Sequence, residues 1–367
     1  MRAVHRTNHC RVGGRGGRGG LAGLAVALLA PFIATPTRAG AAHDARGANY
    51  AIIERWKLGG SGGWDYLTVD PPRHRLFVTR ADHVEVLDLS SGQVVGRIPN
   101  TAGVHGVELA PELRRGYTSN GRANTVTEFD YDTLAVLREV PVQGENPDAL
   151  LYEASTGRLF VFNGRSRNAS VFDARTLALV AQLPLPDKPE FAASDGRGRV
   201  YVNIQSEAGQ LVKIDAARLA VLATWQLGGC ARPSGLAVDR AHARLFSVCD
   251  SRLMVVTDAT SGRQVGRIAI GARPDAAAFD AAHGLAFSSN GEGTLTIVRA
   301  GPHDGYAVTA TLATQLGART MALDPTTGRV YLVTADFGPP PAATPEQPQP
   351  RPQPLPDTFT VLIAAPR

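Results

Sequence analysis

The chain lacks the short signatures by which most enzymes and cofactor proteins announce themselves. It has no G-x-S-x-G elbow, no Walker loop, no zincin motif and no C-x-x-C-H haem attachment site. Those gaps exclude the commonest hydrolase, nucleotide-binding and c-type haem chemistries, and no catalytic residue or cofactor can be assigned from a motif. Cysteine is scarce, with Cys10, Cys230 and Cys249 the only three among 367 residues. After the first 34 residues no apolar run is long enough to cross a bilayer. Acidic residues are missing from residues 1–41, which carry six arginines. Without that segment the formal charge falls from +5 to −1. The electrostatic case for a phosphate backbone as partner leaves with it.

Residues 1–41 read as a secretory signal. Arginines precede the apolar run Leu21 to Ala34, and Ala39-Gly40-Ala41 fits the small-x-small rule for cleavage. No cysteine follows the run and no Arg-Arg pair precedes it, so a lipoprotein and twin-arginine export are not expected. An uncleaved anchor is the alternative. Cleavage removes Cys10 and leaves Cys230 and Cys249 as an even pair in an oxidising compartment. The expected location is the bacterial periplasm or the cell exterior.

What the sequence has in abundance is a repeat. With 39 glycines and 25 prolines it is rich in turns, and one pattern recurs through it. An apolar strand ends in Asp or a turn, Gly or Arg follows, and Leu/Val-Phe/Tyr opens a second strand. LTVDPPRHRLFVTR (67–80), LLYEASTGRLFVFN (150–163) and MALDPTTGRVYLVT (321–334) are clear copies. The anchors Phe77, Tyr117, Phe160, Tyr201, Phe246, Phe287 and Tyr331 are spaced 40 to 45 apart. Asp88, Asp130, Asp173, Asp215 and Asp258 form a second ladder spaced 42 or 43 apart. Four short strands in such a period make a propeller blade, so the fold class is all-β with seven four-stranded blades over 50–367. The aromatic anchors are expected to pack between blades, and the aspartates to hold turn backbone.

The last copy is one strand short, while YAIIERWKL (50–58) resembles a fourth strand and precedes the first copy. Pairing the two closes the ring and removes its exposed edges. A polar lead-in, 42–49, precedes that strand. The Pro-rich insert 338–357 separates the second and third strands of the last blade and should be extended.

Up-down strand order places the loops entering first strands and those leaving second strands on one face. The entry loops supply one position per blade: Asp65, His105, Asp148, Glu190, Ser234, Asp275 and Arg319. Four carboxylates, a histidine and an arginine in one ring can hold a cation, bind a charged ligand or run acid–base chemistry. The bland alternative is that they cap backbone groups or bind channel water. No local spacing supports a metal. Second-strand exits add Asn120, Asn163 and Asn290, which Asn-Gly steps mark first as turn formers with amides left available at the rim. Cys230 and Cys249 lie on this face in one blade, so a disulfide is expected.

The copies FVTR, YTSN, FVFN, YVN and FSSN resemble the YVTN repeat, and 50–367 is similar throughout to the secreted YVTN/YncE-like propellers. The resemblance implies a periplasmic or surface propeller, and a monomer is expected. It assigns no catalytic group, since only repeat residues carry over. Lactonases, single-stranded-DNA binders of the YncE type and the haem-d1 domain of nitrite reductases are related propellers. Three readings follow. The first is a propeller that binds a small molecule or protein partner at the channel mouth. The second is a lactonase-like hydrolase using the same groups. The third, a single-strand DNA binder, is disfavoured by the charge of the mature chain.

Overall fold

A computed structural model describes residues 49–344, 350 and 352–367. The expected signal, 1–41, lies outside the described residues, as do most of the lead-in and part of the Pro-rich insert.

Seven four-stranded antiparallel sheets are arranged in a ring, as the repeat predicts. Blade 1 runs Trp64–Asp70, Arg75–Arg80, His83–Asp88 and Val94–Ile98, each strand bonded to the next. Blades 2 to 6 repeat this order, with inner strands that begin at Val104, Pro147, Pro189, Pro233 and Pro274. Inner strands of neighbouring blades abut one another around the axis. Blade 7 is assembled from both ends of the described chain. Met321–Leu323, Val330–Thr334 and Thr360–Pro366 are completed by Tyr50–Lys57. Tyr50 pairs with Pro366 and Lys57 with Thr360. The Tyr50 hydroxyl donates to the Gly328 carbonyl at 2.8 Å, and its ring meets Phe287 of blade 6 edge-on.

Every blade is covered on both faces by its neighbours, which is why apolar residues fill successive strand positions instead of alternating. The seven aromatic anchors are all buried. The Asp ladder does what its turn chemistry requires. Asp88 accepts the backbone N–H groups of Ser90 and Ser91 at 3.1 and 2.9 Å. Asp130, Asp173, Asp215 and Asp258 repeat the arrangement. Among the described residues no helix is long and apolar enough to cross a membrane.

The stem of the insert folds against blade 1. Phe337 bridges to Pro354, the Asp357 N–H donates to the Gly60 carbonyl, and the Phe337 and Phe359 rings pack on Trp64.

Candidate functional site

The entrances to the inner strands of blades 2, 3, 5 and 6 follow one local plan. A residue of positive φ turns the chain (Gly103 at 70°, Asn146 at 55°, Arg232 at 45°, Arg273 at 56°). An extended residue follows, proline in blades 3 to 6, whose missing N–H costs nothing at a strand's first position. The carbonyl of the turning residue accepts the N–H that leaves the second strand, as in Gly121 to Gly103 and Gly164 to Asn146, both 2.8 Å. The ladder then slips. In blades 1 to 6 the register shifts just past the first pair, at Trp64/Leu67, Val104/Val107, Pro147/Leu150, Pro189/Ala192, Pro233/Leu236 and Pro274/Ala276. A bulge at this point re-aims the side chain it carries. The residues that occupy it are Asp65, His105, Asp148, Glu190, Ser234 and Asp275.

Side chains from the second strands fix these bulges to the next blade. The Ser119 hydroxyl accepts the Gly106 N–H and donates to the Asp148 carbonyl. Asn203 donates to the carbonyls of Ser234 and Gly235 at 2.9 and 3.0 Å. Ser289 donates to the Arg319 carbonyl. In blades 2, 4 and 6 the polar residue two places beyond the aromatic anchor is therefore a joint to the next blade, whereas Thr79 of blade 1 bonds within its own blade.

The ionisable groups sort into three sets. His105 Nδ1 lies 2.5 Å from Asp65 Oδ2 and 3.7 Å from Asp148 Oδ1. Lys188 reaches Glu190 at 2.7 Å, and Arg319 reaches Asp275 at 3.2 Å. The Tyr66 hydroxyl donates to Asp148 Oδ1 at 3.2 Å. Burial alone would lower the pKa of His105, but its bond to Asp65 and the charges of Asp148 and Asp65 lift it to about 9. Burial and the Asp148 charge raise Glu190 to about 8. Burial raises Asp275 to about 6 against the pull of Arg319. Burial raises Asp148 too, opposed by His105. For Lys188, burial works against the charge, yet Glu190 outweighs it and raises the pKa.

A cup of about 540 Å³ opens from this ring over blades 1 to 3. Asp65, His105, Asn124, Asn146, Arg122 and Arg165 supply its polar wall, with Trp64 beside them. Nearer the axis, Tyr66 of blade 1 and Phe191 of blade 4 meet edge to face, with centroids 5.3 Å apart. Their contact bridges the channel.

Asn120, Asn163 and Asn290 are a correction. Each is fully buried within its blade, not set at the rim. Their amides tie the second strand to the third: Asn120 donates to Thr125 and Thr127, Asn163 to Asn168 and Ser170, and Asn290 to Thr294 and Thr296. They end their strands in extended conformation, and Asn290 also opens the turn that follows, its carbonyl accepting the Gly293 N–H at 2.9 Å. In blade 5 the same place, three beyond the aromatic anchor, is taken by Cys249. It is bonded to Cys230 with Cα atoms 5.2 Å apart, as expected. Lys188, Tyr66 and Phe191 were not foreseen as mouth residues. Lys188 precedes a Pro-Glu step that flags it as an entry-loop residue, and the two aromatics follow ring positions directly.

No family model matches the chain, and no curated protein matches it. Solved structures do. A chain from Kuenenia stuttgartiensis hydrazine synthase superposes with a TM-score of 0.65 at 15% identity, covering 74% of this chain and 92% of that one. The U3-55K structure gives 0.67 at 10% identity over 86% and 98%. A chain of the mitotic checkpoint complex gives 0.69 at 14% identity over 93% and 98%. Identities this low establish the fold and nothing finer. The chain is a seven-bladed β-propeller.

Proposed function

We propose that this is an extracytoplasmic binding propeller that takes a polar small molecule into the cup at its channel mouth. One observation carries the reading: six blades present a bulged position to the same mouth, and five of those six positions hold an ionisable side chain. Packing does not ask for that, because serine serves the same turn in blade 5. Four carboxylates brought together repel one another, and Lys188, Arg319 and His105 supply only three partners for them. The cup's wall of guanidinium, amide, carboxylate and imidazole groups favours a charged or hydrogen-bonding guest.

The disulfide supports an oxidising compartment, in keeping with the signal-like leader and the likeness to secreted YVTN propellers. The mouth's aromatics are committed to packing, Trp64 against Phe337 and Phe359 and Tyr66 against Phe191, so they do not form a platform for stacked bases.

The test is mass spectrometry of small molecules retained by protein purified from its native host, followed by titration of the compound found. His105→Ala and the double variant Asp148→Asn/Glu190→Gln should each weaken binding at least tenfold with the fold intact. Unchanged affinity in both would move the site to another face.

A further inference from the structure

Lys188 and Arg319 neutralise Glu190 and Asp275, each across a close ion pair. That leaves Asp65 and Asp148, two carboxylates with one imidazole between them. Asp65, His105 and Asp148 offer three potential ligand atoms that all lie within 4.8 Å of one another. We propose that they form a binding site for a divalent first-row transition ion such as Zn²⁺ or Mn²⁺. The inference deepens the reading of the mouth as the binding face.

The geometry suits such an ion. Donors about 2.1 Å from a tetrahedral metal stand about 3.4 Å apart. The separations from His105 Nδ1, 2.5 Å to Asp65 and 3.7 Å to Asp148, bracket that value. Small side-chain rotations bring the set to coordination distance. All three donors sit on the same bulged position of three consecutive blades, so rigid sheet holds their backbones. An outer-shell partner is already present: the Tyr66 hydroxyl bonds Asp148 Oδ1 and orients that carboxylate. Asp148 is 6% exposed, and among the described residues no hydrogen-bond donor reaches its second oxygen. Asp65 and His105 face the cup, which has room for water or a guest atom to complete the coordination sphere. One imidazole with two carboxylates matches borderline transition ions better than calcium, which takes six to eight oxygens. A dication also cancels the two unmatched carboxylate charges, which a single imidazolium does not.

The experiment needs no organic ligand. The purified chain is dialysed against micromolar Zn²⁺ or Mn²⁺ and its metal content measured by plasma mass spectrometry. One ion per chain is expected. Asp65→Asn, His105→Ala and Asp148→Asn should each weaken uptake at least tenfold. His283→Ala should leave it unchanged, since it removes a similar His–Asp pair (2.7 Å to Asp280) from the opposite face. Should a mouth variant fail to fold, the wild type still decides the matter. Pulsed electron paramagnetic resonance of its Mn²⁺ form should show a coordinated imidazole nitrogen. No stoichiometric uptake, no nitrogen signal, or full uptake by the three folded variants overturns the site. A chain that takes up no ion yet binds its organic ligand at the mouth overturns this inference alone and leaves the proposed function standing.

Discussion

Tyr66 and Phe191 come from blades 1 and 4 and meet across the axis, their ring planes 74° apart. The contact spans the channel between blades 1 and 4. It also couples blades that share no strand edge. Phe191→Ala should cost about 1–3 kcal/mol, less than a fully buried phenylalanine because the ring is half-buried. Tyr66→Phe keeps the ring contact and loses the bond to Asp148, so about 1 kcal/mol is expected. Urea unfolding of both variants checks the order, and equal losses would contradict it.

Ring closure should be worth far more than any single contact. Deleting residues 42–58 uncovers the Thr360–Pro366 edge and removes Tyr50 and Trp56 from their buried places. The thermal midpoint should fall by about 10 °C or more, since each kcal/mol lost shifts a domain of this size by a few degrees. An unchanged midpoint would mean that the ring is closed some other way.

The Cys230–Cys249 bond closes a short loop, with a sequence separation of 19. By the chain-entropy account such a loop stabilises by about 3 kcal/mol. Cys230→Ala/Cys249→Ala should lower the urea midpoint accordingly, and thiol titration of the unreduced, denatured wild type should find neither cysteine free.

Glu108 provides a pH dependence. Its carboxylate accepts the Tyr152 N–H at 3.1 Å beside the inner strand of blade 3, and burial pushes its pKa from an ordinary 4.5 to about 7. The folded pKa lies above the unfolded one, so the folded state holds the proton more tightly. This group's contribution is complete below pH 4.5 and is lost as pH rises through about 7. Allowing for solvent that reaches the partly exposed side chain, the loss is about 1–3 kcal/mol. Glu108→Gln keeps an acceptor for Tyr152 and removes the titration. Unfolding free energies measured by urea at about pH 5 and about pH 8 should differ less in the variant than in the wild type. An identical slope would assign the dependence to other groups.

Much of this architecture is legible in the residues because it repeats. Phe77 and its six equivalents occupy one environment seven times, so a weak local preference becomes a strong periodic signal. The Asp88 ladder likewise reports a turn whose donors lie two and three residues away. Closure by YAIIERWKL was readable because a ring cannot tolerate one missing strand. Strand direction alone puts Asp65, His105, Asp148, Glu190, Asp275 and Arg319 at the same end of their blades. The pairing of Cys230 with Cys249 followed from their place in one blade and from the lack of any other cysteine after residue 41.

Tertiary structure decided the rest, because those facts depend on distances between blades that no local pattern encodes. Asn120, Asn163 and Asn290 carry the chemistry of turns, yet packing of the third strand draws their amides inward. The bulges that aim the ring residues come from a one-residue slip between strands, invisible until both are paired. Which acid meets which base was likewise settled by convergence. Lys188 matches Glu190 within the blade 4 entry, whereas ring curvature brings Arg319 of blade 7 to Asp275 of blade 6 and leaves Asp65 and Asp148 to share His105. Sequence determines that seven blades form and at which end of its blade each loop residue lies. Only the closed ring determines how far apart their side chains stand, and electrostatic interaction depends on that separation.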